Sequence, residues 1–316
     1  MDKRIVTVEP VFKERIWGGT RIQNEFNGHT NVEPLGEMWC VAALKGNGDC
    51  MLKEIGLTLS EAYKQLPEWF NSRNPEFPIR VTLIDPIDNL SVQVHPGDEY
   101  AKMHDNSQGK PEAWYIVDAP ADGKIQFGHT AKTRDELANK IHQGKWSELL
   151  SYVDAVPGEF LYVPFGTIHA IGENVLTYEV SRSADLTYRV YDYDRVDQKN
   201  GLPRDLHQQK SIDVIAVPHT AKGPYRPASV ERNGCVITEY FDTPDLFSLL
   251  RLEVKTQGTF SYDRFMFLSV LSGNGTIGGL PVQAGTTLLV PDTFKEFELK
   301  GTLDVLAASY RESKHS

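Results

Sequence analysis

The chain has 316 residues, of which 40% are hydrophobic and 24% charged, as is typical of a globular protein with one large or two smaller domains. No apolar run approaches the about 20 residues that a membrane span needs, and the chain starts with charged residues, so we expect a cytoplasmic protein without a membrane partner. The net charge of −10 disfavours nucleic acid as a partner but permits an anionic substrate in a locally basic site. Three scattered cysteines without a CxxC motif favour neither a disulfide framework nor a thiolate metal site.

Two helical segments interrupt a series of strand-like segments. Apolar residues recur at helical spacing over residues 57–70, with Ser60 as the expected N-cap, and over residues 133–150, with Thr133 as N-cap and Glu136 at the capping-box position. Strands are expected at residues 79–84, 90–95, 113–117, 160–163, 176–180 and 188–191. The sequence therefore predicts a mainly β protein with helical insertions.

Two stretches of the chain resemble each other. PGEFLYVP at residues 157–164 and QAGTTLLVP at residues 283–291 each place a glycine turn before an apolar strand that stops at proline. Two related β-barrel halves explain this similarity and predict a double-stranded β-helix, the cupin or jelly-roll class. Only the first stretch continues into a histidine, His169, so a metal should lie in the first half and the second should be a metal-free barrel.

The boundary between the halves is expected within residues 217–228, where prolines and a Gly-Pro pair interrupt the chain. We accordingly predict a first domain at residues 1–222, which carries the candidate chemistry and the helical insertions at about 57–70 and 133–150. Residues 223–316 form the predicted C-terminal cupin-like β domain.

A candidate metal site begins in the segment LSVQVHPGD. Gln93 and His95 are two residues apart in a predicted strand, so their side chains leave the same face while the neighbouring valines point to the other. A buried amide and imidazole need partners, which a metal ion supplies. With Glu112 and His169 they form an oxygen and nitrogen donor set that suits zinc. Spacing alone leaves open that His95 is a structural histidine and Glu112 a surface carboxylate.

Several longer motifs carry a resemblance to one enzyme family. They are PVFKERIWGG at residues 10–19, Gly-Glu-x-Trp at 36–39, LSVQVHP at 90–96, GKPEAWYIV at 109–117, VPFGTIHA at 163–170, ADLTYRVYDYDR at 184–195 and RDLHQQKSIDVI at 204–215. In combination they resemble type I phosphomannose isomerase, closely over most of residues 10–215 and in outline beyond. The resemblance implies that one zinc ion per chain is held by Gln93, His95, Glu112 and His169.

The resemblance also implies a reaction and a substrate, the interconversion of mannose 6-phosphate and fructose 6-phosphate through an enediol. Glu179 is the first candidate for the general base, with Asp185 and a metal-bound water or hydroxide as rivals. A guanidinium is suited to a phosphate or an enediolate oxygen, which is the role expected of Arg189. The other residues that match positions around the substrate are Glu37, Ser91 and Lys110.

The sequence departs from the family pattern near the substrate. Thr82, in FPIRVTLID, stands where the family usually has a lysine, and Arg80 lies two residues earlier on the same face of the predicted strand. Ala184 stands where serine is common, and the segment after Trp39 is also unusual. Three hypotheses follow: a mannose-6-phosphate isomerase, a related metal-cupin isomerase for another phosphosugar or a free sugar, or a non-catalytic sugar-phosphate-binding protein. The sequence leaves the oligomeric state open.

Overall fold

Strands dominate the chain in the computed structural model, which describes residues 4–197, 199 and 201–313. The prediction of a mainly β protein is confirmed. Backbone contacts group the chain into two compact units. The first unit comprises Met1–Lys13, Thr20–Leu83 and Arg226–Ser316, and the second comprises Glu14–Gly19 and Ile84–Tyr225.

The strands are numbered in chain order. Those before residue 150 are β1 (Val6–Glu9), β2 (Val11–Gly19), β3 (Leu35–Val41), β4 (Ala43–Leu44), β5 (Gly48–Asp49), β6 (Met51–Leu52), β7 (Leu57–Thr58), β8 (Ile79–Ile84), β9 (Val92–Val94), β10 (Glu112–Asp118) and β11 (Lys124–His129). Those from residue 150 onward are β12 (Leu150–Asp154), β13 (Phe160–Val163), β14 (His169–Ile171), β15 (Leu176–Arg182), β16 (Tyr188–Tyr191), β17 (Val230–Arg232), β18 (Cys235–Thr243), β19 (Phe247–Val254), β20 (Gln257–Ser261), β21 (Met266–Ile277), β22 (Leu280–Gln283), β23 (Thr287–Val290) and β24 (Glu296–Ser309). All six strands predicted from the sequence are present, with ends that shift by at most two residues.

The helices are short. They are α1 (Arg21–Glu25), α2 (Leu59–Gln65), α3 (Pro67–Phe70), α4 (Asp98–Asp105), α5 (Arg134–His142), α6 (Trp146–Leu149) and α7 (Gln208–Val214). The predicted segment 57–70 thus forms two helices, because Pro67 begins a new one. The predicted N-cap Ser60 is wrong: the Thr58 hydroxyl accepts a hydrogen bond from the Glu61 amide, and the Glu61 carboxylate accepts one from the Thr58 amide.

The second predicted helical segment also forms two helices. The Thr133 hydroxyl accepts a hydrogen bond from the Glu136 amide, so the predicted N-cap of α5 is confirmed. The Glu136 carboxylate accepts from the amide of Lys132, one residue before the cap, at 2.8 Å. Gly144, with φ of 64°, lies between α5 and α6, so the predicted segment 133–150 is divided there.

The first unit contains an 11-stranded sheet. Its strands follow the order β17-β18-β19-β24-β21-β23-β1-β6-β7, with β20 beside β24 and β22 beside β21. The N-terminal strand β1 pairs with β23 on one side and β6 on the other. Residues near the N-terminus therefore join the C-terminal strands in one unit, which differs from the predicted division at residue 222, although both divisions place a break within residues 222–226.

The second unit contains a five-stranded sheet in the order β12-β11-β14-β9-β16 and the three adjacent strands β13-β10-β15. Apolar residues of the five-stranded sheet and of these three strands, including Phe127 and Trp114, form one buried cluster. A second cluster joins Val92 and Val94 of β9 to apolar residues of α5 and α7, including Ile141 and Ile212. The valines of β9 thus point to a core, as predicted, and leave the polar residue between them on the other face of the sheet.

Candidate active site and metal centre

Three of the four predicted metal ligands converge in the second unit. His95 follows β9, Glu112 begins β10 and His169 begins β14. His95 Nε2 lies 3.1 Å from Glu112 Oε2, and His169 Nε2 lies 3.2 Å from Glu112 Oε1. At most 2% of each side chain is exposed, and one candidate ligand atom from each lies within 4.8 Å of the others.

The hydrogen bonds of the two imidazoles fix which nitrogens face Glu112. His95 Nδ1 lies 2.8 Å from the Leu186 carbonyl oxygen, and His169 Nδ1 lies 2.8 Å from the Thr167 carbonyl oxygen. A carbonyl oxygen only accepts, so in each neutral ring Nδ1 carries the proton and Nε2 carries a lone pair. Both lone pairs are therefore directed at the buried carboxylate.

This arrangement fits a cation. Two lone pairs and a carboxylate repel one another when they meet in a dry site, whereas a metal ion attracts all three. Ligand atoms about 2.0–2.1 Å from a tetrahedral ion lie about 3.3 Å apart, close to the separations of Glu112 from the two imidazoles. His95, Glu112 and His169 thus form a site suited to a metal ion.

The electrostatics keep the donor groups in the forms that bind metal. Burial lowers the pKa of His95 to about 4, and the nearby Lys110 charge acts in the same direction, so the imidazole is neutral at pH 7. Burial opposes ionisation of Glu112, but its polar neighbours together, with the Lys110 charge as the largest of their contributions, outweigh burial and hold the pKa of Glu112 well below its ordinary value.

Gln93 lies at the centre of three neighbouring strands. It pairs with His169 of β14 on one side and with Arg189 of β16 on the other. Its Nε2 lies 3.4 Å from His169 Nε2. The amide is therefore next to the metal centre, and rotation about its last bond exchanges nitrogen for oxygen.

A buried lysine and a second carboxylate extend the site. Lys110 Nζ lies 2.7 Å from Glu112 Oε2 and 3.2 Å from Glu179 Oε1. Ser181 Oγ donates to Glu179 Oε1 at 3.0 Å. Glu179 and Ser181 lie on β15, which pairs with β10 so that Ser181 is opposite Glu112. Ser181 is not among the residues predicted from the sequence, because only this pairing brings it next to Glu112.

The remaining predicted residues lie at two places. In the second unit, Arg189 Nε donates to Ser91 Oγ at 3.3 Å, and Asp185 is exposed one residue before the Leu186 carbonyl that orients His95. In the first unit, Arg80 and Glu37 converge on Trp39.

The Trp39 cluster contains two cations and one carboxylate. The indole Nε1 donates to Glu37 Oε2 at 2.7 Å, and the Arg80 guanidinium lies 4.9 Å from the ring centroid. Lys13 Nζ lies 4.3 Å from the same centroid. Arg80 is 6% exposed, and Thr82 on the same strand is buried too. Cation–π contacts of this kind hold charged groups at fixed positions.

Comparison with known proteins decides the family. Residues 5–119 match the family described as phosphomannose isomerase type I, catalytic domain. The mannose-6-phosphate isomerase ManA of Bacillus subtilis is 38% identical over 310 residues, which cover 95% of this chain and 97% of that protein. The chain belongs to the type I phosphomannose isomerase family. It is therefore an isomerase of that family.

Solved structures agree with this assignment. The mannose 6-phosphate isomerase from Bacillus subtilis superposes with a TM-score of 0.91 at 33% identity, over 96% of this chain and 99% of that one. A zinc-bound mannose 6-phosphate isomerase shares the fold at 12% identity, with a TM-score of 0.79 over 97% and 99% of the two chains. The predicted cupin-type fold is confirmed. No helix in the part of the chain that the structure describes is both long and apolar enough to cross a membrane.

Proposed function

We propose that this protein interconverts mannose 6-phosphate and fructose 6-phosphate through an enediol, with one zinc ion per chain held by Gln93, His95, Glu112 and His169. The observation that carries the proposal is the position of the two imidazoles: each Nδ1 lies 2.8 Å from a backbone carbonyl oxygen, and the two Nε2 atoms lie 3.1 and 3.2 Å from the buried Glu112 carboxylate. The similarity to named mannose-6-phosphate isomerases supports the substrate. The nitrogen and oxygen donor set, with no thiolate, supports zinc.

The chemistry needs a polarised carbonyl and a group that moves a proton between two adjacent carbons. Bound zinc would supply a Lewis acid that stabilises negative charge on the sugar oxygens as the C–H proton is removed. Glu179 is our candidate for the group that removes the proton and returns it to the neighbouring carbon. Its contacts with Lys110 and Ser181 support this role, since they hold the carboxylate oxygen in one place.

Other groups bind and orient the substrate in this proposal. Lys110 would donate to an oxygen at the reacting end of the sugar, because its ammonium lies beside both carboxylates of the site. Arg189 and Ser91, which contact each other, would bind phosphate or enediolate oxygen. Asp185 is a further substrate-side candidate and the alternative base.

Arg80 and Glu37 complete the set of proposed substrate-binding residues. Arg80 would replace the positive charge that the family's lysine supplies at the position of Thr82. The Arg80 guanidinium lies over Trp39, and the Trp39 indole nitrogen donates a hydrogen bond to Glu37. A positive charge held in this way supports a role for the cluster in anion binding.

A coupled isomerase assay tests the proposal. Chelator-stripped protein should be inactive with mannose 6-phosphate, and added zinc should restore turnover with one ion bound per chain. Thr82 favours a second candidate function, isomerisation of another phosphosugar or a free sugar, and a panel of aldose phosphates and free aldoses distinguishes the two. Zinc-loaded protein that binds sugar phosphate without turning over any of the panel would identify a non-catalytic binder and contradict both.

A further inference from the structure

Arg189 lies on β16, the edge strand of the five-stranded sheet among the residues that the structure describes. β16 ends the order β12-β11-β14-β9-β16, so only one of its two edges pairs with β9. The Arg189 guanidinium makes two hydrogen bonds. Its Nε donates to Ser91 Oγ at 3.3 Å, and its Nη1 donates to the Asp205 carbonyl oxygen at 2.8 Å. Residue 205 thus fixes one end of the guanidinium from outside the sheet.

His207 takes the place of the next strand. Its main-chain N–H donates to the Arg189 carbonyl at 2.7 Å, and its Nδ1 accepts from the Arg189 N–H at 3.2 Å. Both main-chain groups of Arg189 are therefore bonded to one residue. This satisfies polar groups that an edge strand would otherwise leave to water, and it fixes the backbone from which the guanidinium extends.

The side-chain half of this pairing requires a neutral imidazole. Nδ1 accepts the Arg189 N–H only while it carries a lone pair, so the proton of His207 must be on Nε2. Burial and the charge of Arg189 lower the pKa of His207, and Lys210 of α7 acts in the same direction. The opposing charges are Asp205 and, at the end of α4, Asp105.

A cluster of ion pairs helps to place His207 beside Arg189. The Asp192 carboxylate, three residues after Arg189, accepts from Arg204 Nε at 2.7 Å, from Arg204 Nη2 at 2.6 Å and from Arg195 Nη2 at 2.6 Å. Arg204 lies three residues before His207. We name Asp192, Arg195 and Arg204 the Asp192 clamp. The clamp holds Arg204 against the segment that follows β16, so that residues 205–207 lie beside β16.

We propose that His207 is a positioning residue for Arg189, holding the guanidinium where it binds an anionic oxygen of the substrate. The assignment of an anionic ligand to Arg189 rests on the proposed function. The pairing of His207 with Arg189 rests on the contacts alone.

Two substitutions of His207 separate positioning from general stability. His207→Asn keeps an acceptor oxygen close to the place of Nδ1, whereas His207→Leu fills a similar volume without an acceptor. We expect His207→Leu to lower kcat/KM of the zinc-loaded enzyme about tenfold, the order expected when one hydrogen bond is lost. His207→Asn should recover most of that loss and lack the fall in kcat/KM that protonation of the wild-type imidazole causes on the acid side. The control His142→Leu, at an exposed histidine on α5, should match the wild type.

A second measurement does not depend on activity. The Arg189 Nε–H resonance, identified by its loss in Arg189→Lys, should exchange slowly with solvent in the wild type and in His207→Asn, and rapidly in His207→Leu. Unchanged exchange in His207→Leu, or equal impairment of the Asn and Leu variants, would overturn the proposal. A wild-type enzyme inactive on every sugar phosphate would contradict the proposed function instead, and the exchange measurement would still decide the role of His207.

Discussion

His169 Nε2 lies 3.2 Å from Glu112 Oε1, and in the neutral imidazole this nitrogen carries a lone pair because Nδ1 donates to the Thr167 carbonyl. The Thr167 carbonyl, which accepts from His169 Nδ1, produces this arrangement, and the Leu186 carbonyl does the same for His95. A carbonyl that fixes the tautomer of a metal-binding histidine is common in metalloproteins. Here it means that both neutral imidazoles direct lone pairs at a carboxylate whose neighbouring cation is Lys110, and that a metal ion bound between them should stabilise the fold.

We therefore predict that metal removal lowers stability. Chelation should lower the midpoint of thermal unfolding and zinc should restore it, with about 2.7 kcal/mol of stabilisation when free zinc is 100 times its Kd. Glu112→Gln removes the charge that two imidazoles face, so it should bind little zinc and gain little stability from it. Glu148→Gln, at an exposed position, is the control. Equal zinc stabilisation of Glu112→Gln and the wild type would contradict a metal site at these residues.

The proton-transfer role of Glu179 gives a second prediction. Glu179→Gln should lower kcat by about 10²–10⁴-fold, the usual contribution of a general base, while zinc content stays at the wild-type level. Asp185→Asn, the rival, should change kcat only a few-fold because Asp185 is exposed. The measurement is steady-state turnover with metal analysis of each variant, and Glu173→Gln serves as the exposed control. If Asp185→Asn lowers kcat more than Glu179→Gln does, Asp185 and not Glu179 is the general base.

Part of the candidate metal site could be predicted from the sequence, because alternation along a strand is a local pattern. Period-two alternation in β9 separates Gln93 from the flanking valines, and the structure confirms that separation. The N-cap of α2 could also be predicted from the sequence. Thr58 has a glutamate three residues later, as a capping box requires, whereas Ser60 has Tyr63 at that position.

What the sequence could not show depends on distant segments. The N-terminal strand β1 pairs with β23, about 280 residues away, and no local pattern specifies such a partner. The same holds for His207, because the motif RDLHQQK does not reveal that its histidine returns to the edge of β16. Backbone carbonyls such as that of Thr167 orient the histidines irrespective of residue type, so composition and spacing contain no signal for them.

Thr82 stands where the family resemblance implies a lysine, and this leads to a third prediction. Arg80→Met keeps an apolar side chain of similar length beside Trp39 but removes the charge, so KM for the phosphosugar should rise about tenfold with little change in zinc content. The KM of Arg80→Lys should lie between those of Arg80→Met and the wild type, since lysine keeps the charge without the guanidinium geometry. A KM for mannose 6-phosphate that is unchanged in Arg80→Met would exclude Arg80 as the replacement.

The Asp192 clamp gives a prediction for acid stability. Burial alone would raise the pKa of Asp192, but the hydrogen bonds and the charges of Arg204 and Arg195 together outweigh burial and lower it. The ionised carboxylate therefore contributes stability above the unfolded-state pKa of about 3.9, and this contribution is lost as pH falls through the lower folded-state pKa.

Asp192→Asn should accordingly lower the free energy of unfolding by about 2 kcal/mol at pH 7, the order expected for lost hydrogen bonds to a charged group. The difference from the wild type should shrink below about pH 4, where the wild-type carboxylate also becomes protonated. Urea unfolding at pH 7 and at acidic pH measures both values. Asp194→Asn is the matched control, because Asp194 is exposed and its positive φ of 56° suits asparagine equally well. A difference that stays constant from pH 7 down through the unfolded-state pKa would show that the clamp does not depend on the charge of Asp192.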